Sequence, residues 1–295
     1  MTKQHKADLA ILGITVVWGS SFIIMKNITE DIPPYAYLAL RFLVAAIILA
    51  AVFHKQLKTI DLKSIWCGSV VGLTLYGGMM LQVMGLKTTT ASNSAFITGL
   101  NVIMVPIISV LLLKKRPSMK AFTGAVLAVS GLFVLKGFSG SWTIGDTLTL
   151  LCALCFALQI IFIDKFASDV NIYHLAFVQI AFAAVLYIIT WMIAGIANAA
   201  TPFELSPKII FTVLYTGALG TAFAFGVQTI AQKYTTPTRT ALIITCEPVF
   251  GALFALIVPD VHGNTEILTV RMVLGCLMIL SGMMIAEIDK EVKDK

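Results

Sequence analysis

Ten runs of mostly apolar residues follow one another along this chain, each near the ~20 residues an α-helix needs to cross the hydrocarbon core of a bilayer. A window reading of hydropathy places them at roughly 8–28, 34–53, 64–86, 91–113, 118–136, 146–166, 172–194, 208–231, 237–258 and 268–288. Short connections rich in proline or charge join them, such as Asp31-Ile32-Pro33-Pro34 and Lys114-Lys115-Arg116-Pro117. Of the 295 residues, 58% are hydrophobic and 12% charged, about half the ~25% charged share of a soluble domain. Mean hydropathy is +0.93. Water is a poor solvent for such a surface, so the expected fold class is an all-α integral membrane protein with ten transmembrane helices. The first run follows Lys3 and Lys6, is too long for a secretory h-region and has no small-residue cleavage site after it. It is expected to remain as an uncleaved first span.

The net charge of +6 does not point to nucleic acid, because the positive residues lie between apolar runs and form no basic face. They fix an orientation instead. With the N-terminus inside, fifteen Lys and Arg fall on cytoplasmic segments, including Lys55, Lys58, Lys63, Lys114, Lys115, Arg116, Lys120 and Lys233. Five fall on outer ends: Lys26, Lys87, Lys136, Lys208 and Arg271. The positive-inside rule then expects both termini in the cytoplasm, with 289–295 as a short cytoplasmic tail, and a multi-pass protein of the cell (inner) membrane.

The two halves of the chain align. At an offset of 138, Asp8 meets Asp146, Trp18 meets Phe156 and Tyr35 meets Tyr173. At an offset of 146, Gln82 meets Gln228, Lys87 meets Lys233, Thr89-Thr90 meets Thr235-Thr236 and Ala95 meets Ala241. At an offset of 151, Lys120 meets Arg271, Gly124 meets Gly275 and Ser130-Gly131 meets Ser281-Gly282. Chance likeness between apolar helices would not bring polar residues into register. Each half holds five spans, an odd number, so the second enters the membrane upside down. The expected organisation is two inverted five-helix repeats, 7–136 and 146–288. Many secondary transporters are built so, with the site near the midplane between the halves.

A charge at the bilayer centre costs at least ~2.5–3.5 kcal/mol, so each one needs a reason. Glu247 lies at the middle of the ninth span, and its repeat partner Asn101 at the middle of the fourth. Pro248 follows Glu247, and Pro106 lies one turn beyond Asn101; each frees a carbonyl one turn back, on Ile244 and Val102. In lipid such breaks sit in protein or along a wet cavity. Arg41, in the outer third of the second span, has two readings: a structural cation that caps carbonyls, or a charge partner of Glu247 or of substrate. Gln82, Gln159, Gln179 and Gln228 are expected to hydrogen-bond between helices. A polar or aromatic residue mid-span in each of several helices gives the expected substrate-binding set: Trp18, Tyr76, Thr98, Asn101, Phe156, Gln159, Tyr215 and Glu247. Within it Glu247 is the proton-coupling candidate, the only acid placed mid-span.

Other chemistry finds little purchase. The five cysteines, Cys67, Cys152, Cys155, Cys246 and Cys276, all fall in apolar runs and read as small buried hydrophobes. The four histidines match no zinc spacing, so no metal and no cofactor is expected. The Gly72–Gly78 and Gly217–Gly226 stretches lack the Lys of a phosphate loop and read as close or moving helix contacts.

In its order of motifs the chain resembles an EamA-type member of the drug/metabolite transporter superfamily. The resemblance rests on Trp18-Gly19-Ser20-Ser21-Phe22, Arg41-Phe42-Leu43, Ser94-Ala95-Phe96-Ile97-Thr98, Val105-Pro106, Gly124 with Gly131, Glu247-Pro248-Val249-Phe250, and Gly275 with Ser281-Gly282. It implies a ten-helix inverted-repeat carrier whose central cavity is lined mainly by helices 1, 3, 4, 6, 8 and 9, and in many members export of amino acids or other small metabolites across the bacterial inner membrane. The acid that often ends the family's fourth span is replaced here by Lys114 or Lys115. The expected function is alternating-access transport of a small polar metabolite, with a proton as coupling ion and membrane lipid as the surrounding partner. Two rivals stand beside it. An integral membrane enzyme would need a carboxylate pair, a Ser/His couple or a metal cluster at the membrane surface, and none is evident. A lipid flippase or scaffold is the other.

Overall fold

The computed structural model describes residues 2–114, 118–136, 142–197, 202–259, 263, 265 and 267–287; Lys115, Arg116, Pro117, His262 and the tail 289–295 lie outside them. Among the described residues the regular structure is helical throughout. Ten membrane helices follow in order: α1 Lys3–Lys26, α2 Pro34–Val52, α3 Leu62–Leu86, α4 Ala91–Leu113, α5 Met119–Lys136, α6 Ile144–Phe166, α7 Ile172–Ile196, α8 Pro207–Gln232, α9 Pro237–Ala255 and α10 Val270–Glu287. Eight are long and apolar enough to cross a membrane by themselves; α5 and α10 have 18 residues each with shorter apolar stretches. Eighteen residues rise about 27 Å, which local thinning of a ~30 Å core accommodates.

The helix starts explain why the elements reach a few residues beyond the apolar runs. Thr2, Asp61, Thr90, Thr143, Asn171, Ser206 and Thr236 each accept a backbone N–H of the first turn. Pro34, Pro207 and Pro237 stand at helix positions where a missing N–H costs nothing. Three helices are irregular in their interiors. α4 breaks after Gly99 and resumes at Asn101; α9 breaks after Ile244 and resumes at Glu247. Asn101 and Glu247 are repeat partners, so each opens the second segment of its broken helix. α8 widens into a π-helix over Thr216–Phe223, where Thr221 Oγ1 donates to the Thr216 carbonyl at 2.9 Å.

Helix pairing is symmetric between the halves. α3 packs on α6 as α8 packs on α1; α4 packs on α6 as α9 packs on α1; α2 meets α7, α4 meets α9 and α5 meets α10. Exchanging α1–α5 for α6–α10 leaves this pattern unchanged, as two inverted repeats require. The side chains repeat it. Thr235 Oγ1 donates to Asp8 Oδ1 at 2.9 Å, and Thr89 Oγ1 donates to Asp146 Oδ1 at 2.6 Å, so each half's aspartate accepts from the other half's threonine. A Cβ at Gly131 would lie 2.8 Å from the Gly275 carbonyl oxygen, and one at Gly282 would lie 2.5 Å from that of Gly124. This reciprocity is the mark of an isologous contact, here between halves of one chain.

Candidate functional site

A cavity lies where the two halves face each other. Its walls come from α1, α2, α3, α4, α6, α8 and α9, and most of them are repeat partners: Trp18 with Phe156, Ser21 with Gln159, Met79 with Phe225, Gln82 with Gln228, Thr98 with Ile244 and Asn101 with Glu247. A space lined by matched residues sits on the pseudo-two-fold axis. Its volume of ≈ 40 Å³ is room for a few waters, since one water needs about 10–15 Å³ on this measure.

The symmetry of the walls is broken in charge. Glu247 stands opposite a neutral amide, Asn101, in the repeat. Arg41, which also lines the cavity, has Gln179 as its counterpart at an offset of 138. Each half thus supplies one charge, at a position where the other half carries an amide. Arg41 is 2% exposed. Its Nε donates to Thr221 Oγ1 at 2.6 Å, and Nη1 to Tyr37 Oη at 3.3 Å. Nη1 also meets Met25 Sδ at 3.1 Å, and Nη2 donates to the Gly220 carbonyl at 3.4 Å. Arg41 thus caps the Gly220 carbonyl and lines the cavity, and no ion pair joins it to Glu247 among the described residues. That carbonyl, in the π segment, also accepts from Trp18 Nε1 at 2.9 Å. Irregular helix backbone of this kind recurs at functional sites. Among the described residues no hydrogen bond or ion pair engages the Glu247 carboxylate, and it is 8% exposed.

A line of amides runs along one wall. Gln228 Nε2 donates to Gln159 Oε1 at 3.3 Å, Gln159 Nε2 donates to Gln179 Oε1 at 3.2 Å, and Gln179 Nε2 donates to Thr229 Oγ1. In the opposite half Gln82 Nε2 donates to Thr98 Oγ1 at 3.4 Å; Gln228 finds Ile244 at the equivalent place and turns to Gln159 instead. All four glutamines hydrogen-bond between helices, as burial in a membrane requires. Two buried carbonyl oxygens at the cavity, Asn101 Oδ1 and Gln228 Oε1, have no donor among the described residues.

Of the residues expected to form the site, the cavity gathers Trp18, Thr98, Asn101, Phe156, Gln159 and Glu247, with Arg41. Tyr76 and Tyr215 are placed elsewhere. Tyr76 packs on Tyr187 of α7 with ring centroids 4.7 Å apart, and its hydroxyl meets Thr190 Oγ1 at 2.8 Å. Tyr215 shares a 2.7 Å hydrogen bond with Ser20 and stacks on Phe211. Missing from the expected set were the polar Ser21, Gln82 and Gln228 and the apolar Met25, Met79, Ile160, Phe225 and Ile244, of which Gln82 and Gln228 already stood out as an in-register polar match. The aspartates Asp8 and Asp146 were also overlooked. They sit at opposite membrane faces, 3% and 1% exposed, and Asp8 Oδ2 lies 3.0 Å from Arg239 Nε.

Compared with known proteins, the chain matches the model of the EamA-like transporter family twice, over residues 5–136 and 143–287. The chain belongs to the EamA-like transporter family. Among curated relatives of this EamA-like chain, an uncharacterized transporter of Archaeoglobus fulgidus is 33% identical over 286 residues, covering 97% of this chain and 87% of the relative. A protein of Escherichia coli strain K12 named a probable amino-acid metabolite efflux pump is 25% identical, covering 96% and 95%. A solved crystal structure superposes with a TM-score of 0.76 at 18% identity over 96% of this chain and 98% of the other, a likeness of fold. The EamA-like chain is thus a multi-pass membrane protein of a transporter family.

Proposed function

We propose that this EamA-like protein is a secondary active transporter that exports a small polar metabolite, an amino acid or related solute, by alternating access, with Glu247 as its proton-coupling carboxyl. One observation carries the reading: a cavity on the pseudo-symmetry axis holds a carboxylate with no partner among the described residues, and Arg41 lines the same cavity. A solute with an ammonium and a carboxylate group complements that pair of charges. The relative named an amino-acid metabolite efflux pump supports the substrate class and the direction. In this reading substrate contacts come from Trp18, Thr98, Asn101, Phe156, Gln159 and Glu247, the moving units are 7–136 and 146–288, and both termini are cytoplasmic. The Asp8–Thr235–Arg239 cluster then latches the cytoplasmic end and the Asp146–Thr89 pair the outer end. Each opening breaks one latch and keeps the other.

Desolvation and charge together make coupling workable. With the cavity shut, a bare carboxylate is costly and a proton or a substrate ammonium relieves the cost. With the cavity open to water, either can leave. Protonation and substrate then exclude one another at Glu247, and a proton gradient drives the solute out. The test is Glu247→Gln in proteoliposomes, which keeps shape and removes titration. Counterflow of radiolabelled amino acid mixtures first identifies a transported solute. The variant should lose pH-driven uptake while keeping a wild-type unfolding temperature. Normal transport across a pH gradient by the Gln protein would remove proton coupling through Glu247 from the reading.

A further inference from the structure

The inverted repeat supplies its own control, because any feature present at one end of the bundle and absent from its symmetry mate owes its existence to the residues that differ. One such feature is a groove of ≈ 370 Å³ between α1 and α8, at the end where the chain begins. Lys3 and Lys6 stand at its rim with Tyr234; Ala7, Ala10, Val227, Ile230 and Ala231 make its floor. Its symmetry mate lies between α6 and α3, where Ala7 becomes Gly145 and Ala231 becomes Gly85. There the two backbones touch. A Cβ at Gly85 would lie 2.9 Å from the Gly145 carbonyl oxygen, and one at Gly145 would come closer still to that of Gly85. The methyl groups of Ala7 and Ala231 stand where the other pair has hydrogens, and they hold α1 and α8 apart. Lys6, too, has an apolar counterpart, Ile144.

The groove differs from the matching place in the other half by a charge, Lys6 against Ile144, and by the methyl groups of Ala7 and Ala231. Its floor is apolar. Its rim carries exposed lysines, and the exposed Lys233 is adjacent in sequence to Tyr234. No described carboxylate pairs with Lys3, Lys6 or Lys233. The nearest acid in sequence, Asp8, points the other way, buried against Thr235 and Arg239. A cationic rim over an apolar trough fits a molecule with one anionic end and a hydrocarbon body. We propose that this groove binds an anionic phospholipid, its phosphate on Lys3 and Lys6 and an acyl chain along Ala10, Val227 and Ile230. On the orientation argued above, this is the cytoplasmic leaflet, where anionic headgroups and basic pockets between helices meet. The site is separate from the central cavity and stands directly outside the Asp8–Arg239 cluster.

The experiment uses the purified full-length protein, delipidated and titrated with phosphatidylglycerol, phosphatidylcholine of the same chains, or glycerol 3-phosphate. Bound lipid is counted by native mass spectrometry, and stability is followed by thermal unfolding. Phosphatidylglycerol should bind at one saturable site and raise the unfolding temperature; the other two should not. Lys3→Gln with Lys6→Gln, both exposed, should weaken that binding about 30-fold, from ~1 kcal/mol per basic residue. Ala10→Phe, which fills the floor and leaves the lysines in place, should abolish it. Equal binding of phosphatidylcholine would mean annular lipid only and overturn the proposal. Equal stabilisation by glycerol 3-phosphate would mean a free-anion site and overturn it too, as would unchanged affinity in the double Gln protein. None of these outcomes involves transport, so failure here leaves the transport reading standing.

Discussion

Replacing Asp8 by Asn tests whether the two ends of the bundle are closed by different forces. Asn keeps an oxygen for the Thr235 hydroxyl and removes the charge 3.0 Å from Arg239 Nε. The side chains of this pair are 2% and 9% exposed. Removing one partner of a buried pair costs about 3–5 kcal/mol, because the other charge stays buried without compensation. Once this end opens, Arg239 meets water, so the loss falls on the closed form alone. Taking the lower figure, the ratio of closed to open at this end should drop by about 150-fold. At the other end Thr89 donates to Asp146, and the position matching Arg239 is Asn93. Asp146→Asn turns a charged hydrogen bond into a neutral one, a loss of about 1–1.5 kcal/mol, or roughly tenfold. The assay replaces the five native cysteines, places a single Cys at Thr98 in the cavity wall, and follows alkylation by a membrane-impermeant maleimide in vesicles of each orientation. Asp8→Asn should speed labelling from the face that carries the N-terminus, and Asp146→Asn should speed it less, from the other face. Adding Arg239→Gln to Asp8→Asn should restore part of the closure. Unchanged rates in Asp8→Asn, or a gain from the wrong face, would refute the assignment of these clusters to the two ends.

Glycine substitutions should separate close contact from free surface. Gly131→Ala and Gly282→Ala force α5 from α10 and should each cost about 1–3 kcal/mol of overpacking, whereas Gly13→Ala, with nothing within 4 Å, should be neutral or stabilising in thermal unfolding. Gln159→Leu breaks the amide line and strands Gln228 and Gln179, so it should lower stability by about 1–3 kcal/mol, while Gln159→Glu should lower it more. Asp61 caps α3, and its bond from Ser64 holds the carboxyl below its usual range. Its contribution is therefore complete above the ordinary carboxylate pKa and fades as pH falls through the lowered value. The protection factor of the Ser64 amide, its exchange rate relative to an unstructured amide at the same pH, should fall there, and in Asp61→Asn it should stay level.

How much of this could be read from the chain differs by feature. The spans could be, because hydrocarbon tolerates so few sequences, and so could the inverted relation, because Asp8, Thr89, Asp146 and Thr235 keep register across the halves for a reason: they bond to each other. The break in α9 was signalled by Pro248. Its mate in α4 was not, since the interruption falls at Leu100 while the proline lies further on, inside a helix that tolerates it. Helix rotation is where reading stops. Tyr76 lies on the same helix as Met79 and Gln82 but faces α7, and apolar residues all round a membrane helix give no stripe to orient it. Tyr215 precedes the π segment of α8, whose wider turn breaks any 3.6-residue count back from Gln228. Asp8 and Asp146 stood out as a repeat match, but a position near a span end says nothing of which loop residue from the other half will meet it.

The reciprocal glycines of α5 and α10 carry a further meaning. Gly131 meets the backbone at Gly275, and Gly282 meets it at Gly124, so each half presents the same pair of notches to the other. A seam of that kind can be formed by one five-helix unit with an upside-down copy of itself, without either having changed. The seam itself is therefore self-complementary, and the differences between the halves, Glu247 against Asn101, Arg41 against Gln179 and Ala7 against Gly145, are ones that a single fused chain can carry and a pair of identical copies cannot.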